Sequence, residues 1–397
     1  MEMIGLQMKT TGKSKRLTVK IAKSLLKPGS YFMSANEAAA EGAIVAGCRF
    51  YAGYPITPSS EIMERMSVRL GDVGGVFIQM EDELGSIAAV VGASWAGAKA
   101  MTATSGPGFS LMQETIGYAV FTETPCVIID VQRAGPSIGQ VKVGSADIMQ
   151  AKWGSHGDYQ IIALSPWSVQ DMYDLTIRAF NLSERYRVPV LVMSEETIGH
   201  LSENMTIPAK VEVWSRKKKK GAAPFDTEEE DGVPPMPAFG EGERLAVTGS
   251  THDGYGFRNA DSPEVHGKLV DRINEKILKN RRTIVEIQEY FTEDADIAII
   301  AYGFTARTSL YVVKQLRKEG TKAGLLRLKT LWPFPEEAVE ALGKRVKHVI
   351  VPEMNRGQVF GEVRKACLRD VIHIGRADGE VIRPEKIIEI AKKLLEG

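Results

Sequence analysis

Four short stretches carry the residue types that do chemistry: Tyr54-Pro-Ile-Thr-Pro-Ser-Ser-Glu61, Glu81-Asp-Glu83, Thr104-Ser-Gly-Pro-Gly108 and Gln132-Arg-Ala-Gly-Pro-Ser-Ile-Gly139. Together they supply a hydroxyl, a carboxylate, a flexible glycine turn and a guanidinium. That set suits a small anionic substrate held beside an acid–base group. Each stretch also has a plainer reading. Thr57 is placed to cap a helix opening at Pro58. The acids at 81–83 favour the positive end of a helix. No Gly-Lys-Ser/Thr follows Ser105-Gly-Pro-Gly108, which argues against a nucleotide phosphate loop. Arg133 taken alone is an ordinary surface ion-pair former. It is the joint placement, rather than any single motif, that marks a functional site.

The four stretches share one position. Each follows a segment that reads as a buried strand, at residues 48–54, 76–80, 99–104 and 125–131. Helical segments alternate with these at 58–70, 85–98 and 109–120. A strand at 159–164, a helix near 169–186 and a strand at 189–194 complete the run. Apolar strands alternating with helices predict a parallel sheet covered on both faces. Ligands bind such a sheet beyond the carboxyl ends of its strands, where the four stretches fall. A second, smaller alternation begins near residue 295.

The expected organisation is therefore α/β in four parts. A basic extension spans 1–29, a parallel-sheet domain 30–205, a linker segment 206–285 and a smaller α/β domain 286–397. The extension reads as a mobile arm or a leading helix on the surface. In the linker, Arg216-Lys-Lys-Lys-Lys220 precedes Asp226 and Glu228-Glu-Glu-Asp231. These bases and acids read as a solvated loop.

Composition narrows the function. The 50 Lys and Arg residues are balanced by 50 Asp and Glu, so net charge is zero. That argues against a nucleic-acid scaffold or a polybasic membrane binder. The longest uncharged stretch, residues 84–98, is shorter than the roughly 18 apolar residues a membrane span needs. Cys48, Cys126 and Cys367 are far apart and form no Cys-x-x-Cys. A cysteine-held cluster or zinc site within the chain is excluded on that ground, and a reducing cytoplasm is expected. No two of the six histidines are spaced as a helical metal pair. Demanding chemistry would then belong to a cofactor or a partner chain.

Beyond single residues, a family pattern is visible. Gly53-Tyr-Pro-Ile-Thr-Pro-Ser-Ser-Glu61, Thr104-Ser-Gly-Pro-Gly108 and Gln132-Arg-Ala-Gly-Pro-Ser137 resemble the alpha subunit of the 2-oxoacid:ferredoxin oxidoreductases. So do His252-Asp-Gly-Tyr-Gly256, Leu331-Trp-Pro-Phe-Pro335 and Val351-Pro-Glu-Met-Asn-Arg-Gly-Gln358. The 2-oxoglutarate-type alpha chain is the nearest likeness, running from Tyr31 to the C-terminus. The resemblance implies a thiamine diphosphate-dependent oxidative decarboxylation of a 2-oxoacid to acyl-CoA and CO2, with electrons passed to ferredoxin. It implies a pyrimidine-binding first domain and a transketolase C-terminal-like last domain. The cofactor's diphosphate and Mg2+ fall to a beta subunit, and [4Fe–4S] clusters to partner chains, with gamma and ferredoxin-like delta subunits expected.

The same resemblance assigns residues. Glu83, followed by Leu84-Gly85, is the catalytic carboxylate at the cofactor's pyrimidine. Tyr54, Pro55, Ser105, Gly106 and Gly108 lie along the cofactor. Thr57 and Arg133 bind the oxoacid, a task that suits a guanidinium fork. No metal, nucleic acid or membrane contact is implied for this chain. Two departures sit at the pocket rim: Ile138 where many relatives have Thr, and Glu195 where many have Asp. They leave the oxoacid open. Pyruvate, branched-chain or aryl substrates stay as alternatives, and so does a non-catalytic scaffold.

Overall fold

Strands Cys126–Gln132 and Pro189–Glu195 are buried along their whole length, so both faces of the sheet they share must be covered. The computed structural model, which describes residues 18–396, shows how. These two strands are the centre of a seven-stranded sheet ordered Thr330–Trp332, Ile162–Leu164, Pro189–Glu195, Cys126–Gln132, Lys99–Thr104, Cys48–Gly53, Val76–Gln79. All neighbours run parallel except Thr330–Trp332. One covering helix, Ala35–Val45, is Ala-rich and starts with a reciprocal Ser34–Glu37 capping box. Small residues let it lie close on helix Val169–Tyr186. A Cβ at Gly42 would stand 2.7 Å from the Tyr173 carbonyl oxygen.

The second sheet has five strands ordered Ile287–Tyr290, Ala323–Leu328, Ile297–Ala301, His348–Glu353, Ile372–Gly375. Only Ile287–Tyr290 runs antiparallel. The two sheets are stitched together by one short strand. Thr330–Trp332 leaves the smaller unit and pairs antiparallel with Ile162–Leu164 at the edge of the larger sheet. Buried Trp332 donates its indole N–H to the Ile148 carbonyl at 3.0 Å.

Three sequence expectations need correction. Within the 1–29 extension, Thr18–Ala22 is neither arm nor helix but a strand, paired antiparallel with Val211–Ser215. Residues 1–17 lie outside the described residues. The helix expected from Pro58 begins at Ser60, and Thr57 does not cap it. The charged part of the 206–285 segment is a loop with residues 218–220 and 228–230 exposed, but its first two bases are not solvated. Arg216 is buried and ion-paired with Glu184, and Lys217 reaches Glu229 at 2.6 Å and Asp231 at 2.7 Å.

The strongest anchor of this segment is a buried carboxylate. Glu123 accepts from Arg272 Nη1 at 2.9 Å and Nη2 at 2.6 Å, and from Lys276 Nζ at 2.6 Å. Both cations sit on helix Pro263–Leu278. A third, Arg187, donates Nε to the Glu123 carbonyl and Nη1 to the carbonyls of Pro224 and Pro235. The flanking cations hold Glu123 far below the usual carboxylate range against the opposing effect of its burial. Glu123→Gln would leave these cations buried without their anion. It should cost about 3–5 kcal/mol, read as a lower urea midpoint with unchanged slope; an unaltered midpoint would show that the cluster does not anchor the segment.

Candidate active site

The chain must turn sharply where strand Lys99–Thr104 meets helix Pro107–Phe121, and glycines make the turn. Gly106 takes φ of +44°, a conformation that side chains resist. Gly108 does more than turn. A Cβ there would lie 2.2 Å from Thr104 Oγ1 and 2.3 Å from Glu83 Oε1, so no side chain fits. Glu83 comes from the neighbouring helix Glu83–Trp95, as its first residue. Asp82 caps that helix, accepting from Gly85 N at 2.7 Å, while Glu81 stays exposed. Glu83 is buried despite its charge. Burial, reinforced by Asp82, raises its carboxyl above the ordinary range.

Arg133 follows strand Cys126–Gln132 and reaches across to the first loop. Its Nη1 donates to the Thr57 carbonyl at 2.7 Å. Thr57 therefore offers Arg133 its backbone, while its side chain is exposed. Asn36 supports the same loop, donating to the Pro58 carbonyl and to Glu61, each at 2.9 Å. Arg133 is itself buried, and its Nε has no partner. A Cβ on Gly106 would stand 3.5 Å from that Nε, so the glycine turn lies directly over the guanidinium. Thr104 Oγ1 and Ser105 Oγ are likewise buried without partners. Glu83, Ser105, Gly106, Gly108, Arg133 and the Thr57 backbone thus meet at one sheet edge. Tyr54 and Pro55 remain exposed beside them.

Several residues of this edge escaped the sequence reading. Asp130 is buried beneath Arg133, and neither of its carboxylate oxygens has a donor. Burial, then the nearby Asp147 carboxylate, holds it well above the usual range, and burial pushes Asp147 up to about 6. Two buried carboxyls side by side disfavour a second negative charge, so the proton affinity of each depends on the other. Gln132 ties the two chain segments together, donating to the Ser194 carbonyl and accepting from Asp147 N. An acid inside the apolar run Cys126-Val-Ile-Ile-Asp130 was the available signal. His252 lies elsewhere: it is buried edge-on against Phe121 and Phe225, and holds its own loop in place.

The second unit closes one side of this edge. Asn355 donates to the Ser145 carbonyl at 2.8 Å and to Tyr302 Oη at 2.9 Å, and Tyr302 donates to Glu353 at 3.2 Å. Glu353 also accepts from the first-turn amides of Val359 and Phe360. Between the units lies a cavity of about 500 Å3 that includes Gly106, Ser137, Asp147 and Arg356 in its wall. Among the described residues, no cluster of His, Cys, Asp or Glu has the makeup of a metal site. Nor is any described helix long and apolar enough to cross a membrane.

Comparison with known proteins gives concordant results. Residues 41–272 match the family model for the pyruvate flavodoxin/ferredoxin oxidoreductase thiamine diphosphate-binding domain, and residues 295–387 match pyruvate:ferredoxin oxidoreductase core domain II. The 2-oxoglutarate synthase subunit KorA of Methanothermobacter thermautotrophicus is 52% identical, over 92% of this chain and 98% of that protein. The ketoisovalerate oxidoreductase subunit VorB of Methanothermobacter marburgensis is 36% identical, over 90% of this chain and 96% of that one. A solved structure of 2-oxoglutarate:ferredoxin oxidoreductase from Magnetococcus marinus, with 2-oxoglutarate, coenzyme A and succinyl-CoA bound, superposes with a TM-score of 0.87. It shares 35% identity, covering 92% of this chain and 65% of that chain.

A second buried carboxyl at the seam has a measurable signature. Glu195 accepts from Phe304 N at 2.9 Å through one oxygen, the other has no partner, and burial pushes it up to about 8. Unfolded, it titrates near 4.5. The folded state therefore binds the proton more tightly. Its contribution is intact below the unfolded value and is lost as pH rises from there through about 8. Glu195→Gln should flatten the decline in thermal midpoint between about pH 5 and 8. A decline as steep as that of the unsubstituted protein would mean Glu195 is not the group responsible.

Proposed function

The chain belongs to the 2-oxoacid:ferredoxin oxidoreductase family, and on that premise we propose how it serves as the alpha subunit of an enzyme that oxidises 2-oxoglutarate to succinyl-CoA and CO2 with ferredoxin as electron acceptor. The observation that carries the reading is the placement of Glu83: a buried carboxyl in a space that exists only because residue 108 is glycine. That cradle, with the unpartnered hydroxyls of Thr104 and Ser105 around it, fits an aminopyrimidine ring. Bound thiamine diphosphate supplies the carbon nucleophile and the electron sink for decarboxylation. Glu83 holds and exchanges the proton at the pyrimidine N1′, a role its raised proton affinity suits. Gly106 and Gly108 let the backbone come close, and Tyr54, Pro55 and Ser105 line the approach.

Arg133 binds the oxoacid's carboxylate. Its Nη1 is fixed by the Thr57 carbonyl, while its buried Nε awaits an acceptor. The Thr57 hydroxyl, exposed on the same loop, takes the carboxylate or keto oxygen. The rest of the machinery belongs to partner chains. A beta subunit carries the cofactor's diphosphate and Mg2+; gamma and ferredoxin-like delta subunits join it, and [4Fe–4S] clusters sit on these partners. The edge that this beta subunit covers is apolar and exposed, with Tyr54, Ile78 and Leu84 beside the carboxyl ends of the strands. Coenzyme A is the cosubstrate, and the assembly works in the cytoplasm.

Co-expression with the partner subunits and assay of oxoacids with coenzyme A and a viologen dye tests the reading. Glu83→Gln keeps size and reach but ends proton exchange at N1′. It should lower turnover by about 10²–10⁴ and slow C2–H exchange of bound thiamine diphosphate, while Glu81→Gln and Asp82→Asn stay active. Wild-type exchange in Glu83→Gln would remove the assignment.

Arg133→Ala and Thr57→Ala should act on the oxoacid, each weakening its transition-state binding by about 2–5 kcal/mol, with coenzyme A saturation little changed. A shift in coenzyme A saturation alone would place the pocket elsewhere.

A further inference from the structure

The turn at residues 354–358 is held more firmly than its length requires. Asn355 Oδ1 accepts from Gly357 N at 2.8 Å and Gln358 N at 3.0 Å, and its Nδ2 donates to the Ser145 carbonyl. Gln358 donates to the Ala146 carbonyl at 2.6 Å and accepts from Met149 N at 2.8 Å. Gly357, at φ of +104°, completes the turn. Between these anchors stands Arg356, exposed, with a guanidinium that meets no acceptor, carboxylate or ring among the described residues. A cation displayed on so fixed a backbone keeps its donors free for a ligand at little ordering cost.

Arg356 stands in the wall of the cavity between the two units, with Gly106 and Asp147. Gly106 lies over Arg133 and two residues before Gly108, which packs on Glu83. The cavity thus adjoins the reacting centre and has its free cation on the second unit.

We propose that Arg356 recognises a second anionic group on one of the two small reactants, an inference that rests on the oxoacid reading above. A guanidinium fork takes a carboxylate or a phosphate equally well. The group is therefore either the distal carboxylate of the oxoacid or a phosphate of coenzyme A.

The assembled enzyme separates the two. Arg356→Met and Arg356→Lys are compared with wild type on 2-oxoglutarate against 2-oxobutyrate, and on coenzyme A against pantetheine. For the reactant that bears the anion, Arg356→Met should raise KM by about 30-fold or more, with kcat little changed and partial recovery in Arg356→Lys. The truncated reactant should respond to neither. A rise confined to 2-oxoglutarate identifies the carboxylate, and one confined to coenzyme A the phosphate. Unchanged KM throughout, or equal rises for a reactant and its truncated partner, overturns the proposal. A wild-type assembly that oxidises no oxoacid overturns the underlying reading instead, and the proposal with it.

Discussion

Thr330–Trp332 belongs by connectivity to the smaller unit and by hydrogen bonding to the larger sheet. Three residues would be a weak strand alone; what makes the graft secure is burial. Trp332 and Leu331 are almost wholly enclosed, and the indole N–H is satisfied by Ile148. Once that strand is seated, the segment around Ser145 to Met149 must face the turn after His348–Glu353. The side-chain amides of Asn355 and Gln358 then find their partners across the seam. The position of Arg356, the walls of the cavity and the enclosure of Tyr302 and Glu353 all descend from this one junction.

Charge is handled in two ways inside the protein. Around Glu123 and Glu184, buried carboxylates are met by guanidinium and ammonium groups at short range. Such pairs add little or no net stability over an apolar replacement but are costly to half-remove. Near the sheet edge the opposite holds. Asp130, Asp147, Glu83 and Glu195 are buried with few donors, and each is raised in proton affinity mainly by burial. Carboxyls whose proton affinity is raised by burial concentrate at this edge, a known feature of catalytic centres.

Much of the architecture was legible in the sequence because strands such as Ile297–Ala301 are unbroken apolar runs and helices between them have clear ends. The site residues were legible through their motifs, but their mutual contacts were not. Nothing local in Thr104-Ser-Gly-Pro-Gly108 indicates that residue 108 must leave room for a side chain some 25 positions earlier. Thr57 looked like a helix cap because a hydroxyl before Pro usually is one; instead its carbonyl is held by Arg133. The basic run at 216–220 is solvated over residues 218–220, as its composition suggests; Arg216 at its start is not, because its partner Glu184 is distant in sequence, as is Glu123 from Lys276, by 153 positions. Thr18–Ala22 alternates apolar and polar residues too briefly to announce a strand, and only its partner Val211–Ser215 makes it one.

Arg187 gathers carbonyl oxygens from residues 123, 224 and 235 around one guanidinium, and its own carbonyl accepts from Lys276. The stretch between the two sheets is therefore fastened along its course to the body of the first. Those fastenings leave the connecting stretch few backbone groups free to rearrange. The apolar edge and the seam cavity are set in register before any partner arrives, so assembly resembles the fitting of a finished mould more than a mutual adjustment. Little conformational entropy is then left to lose on association.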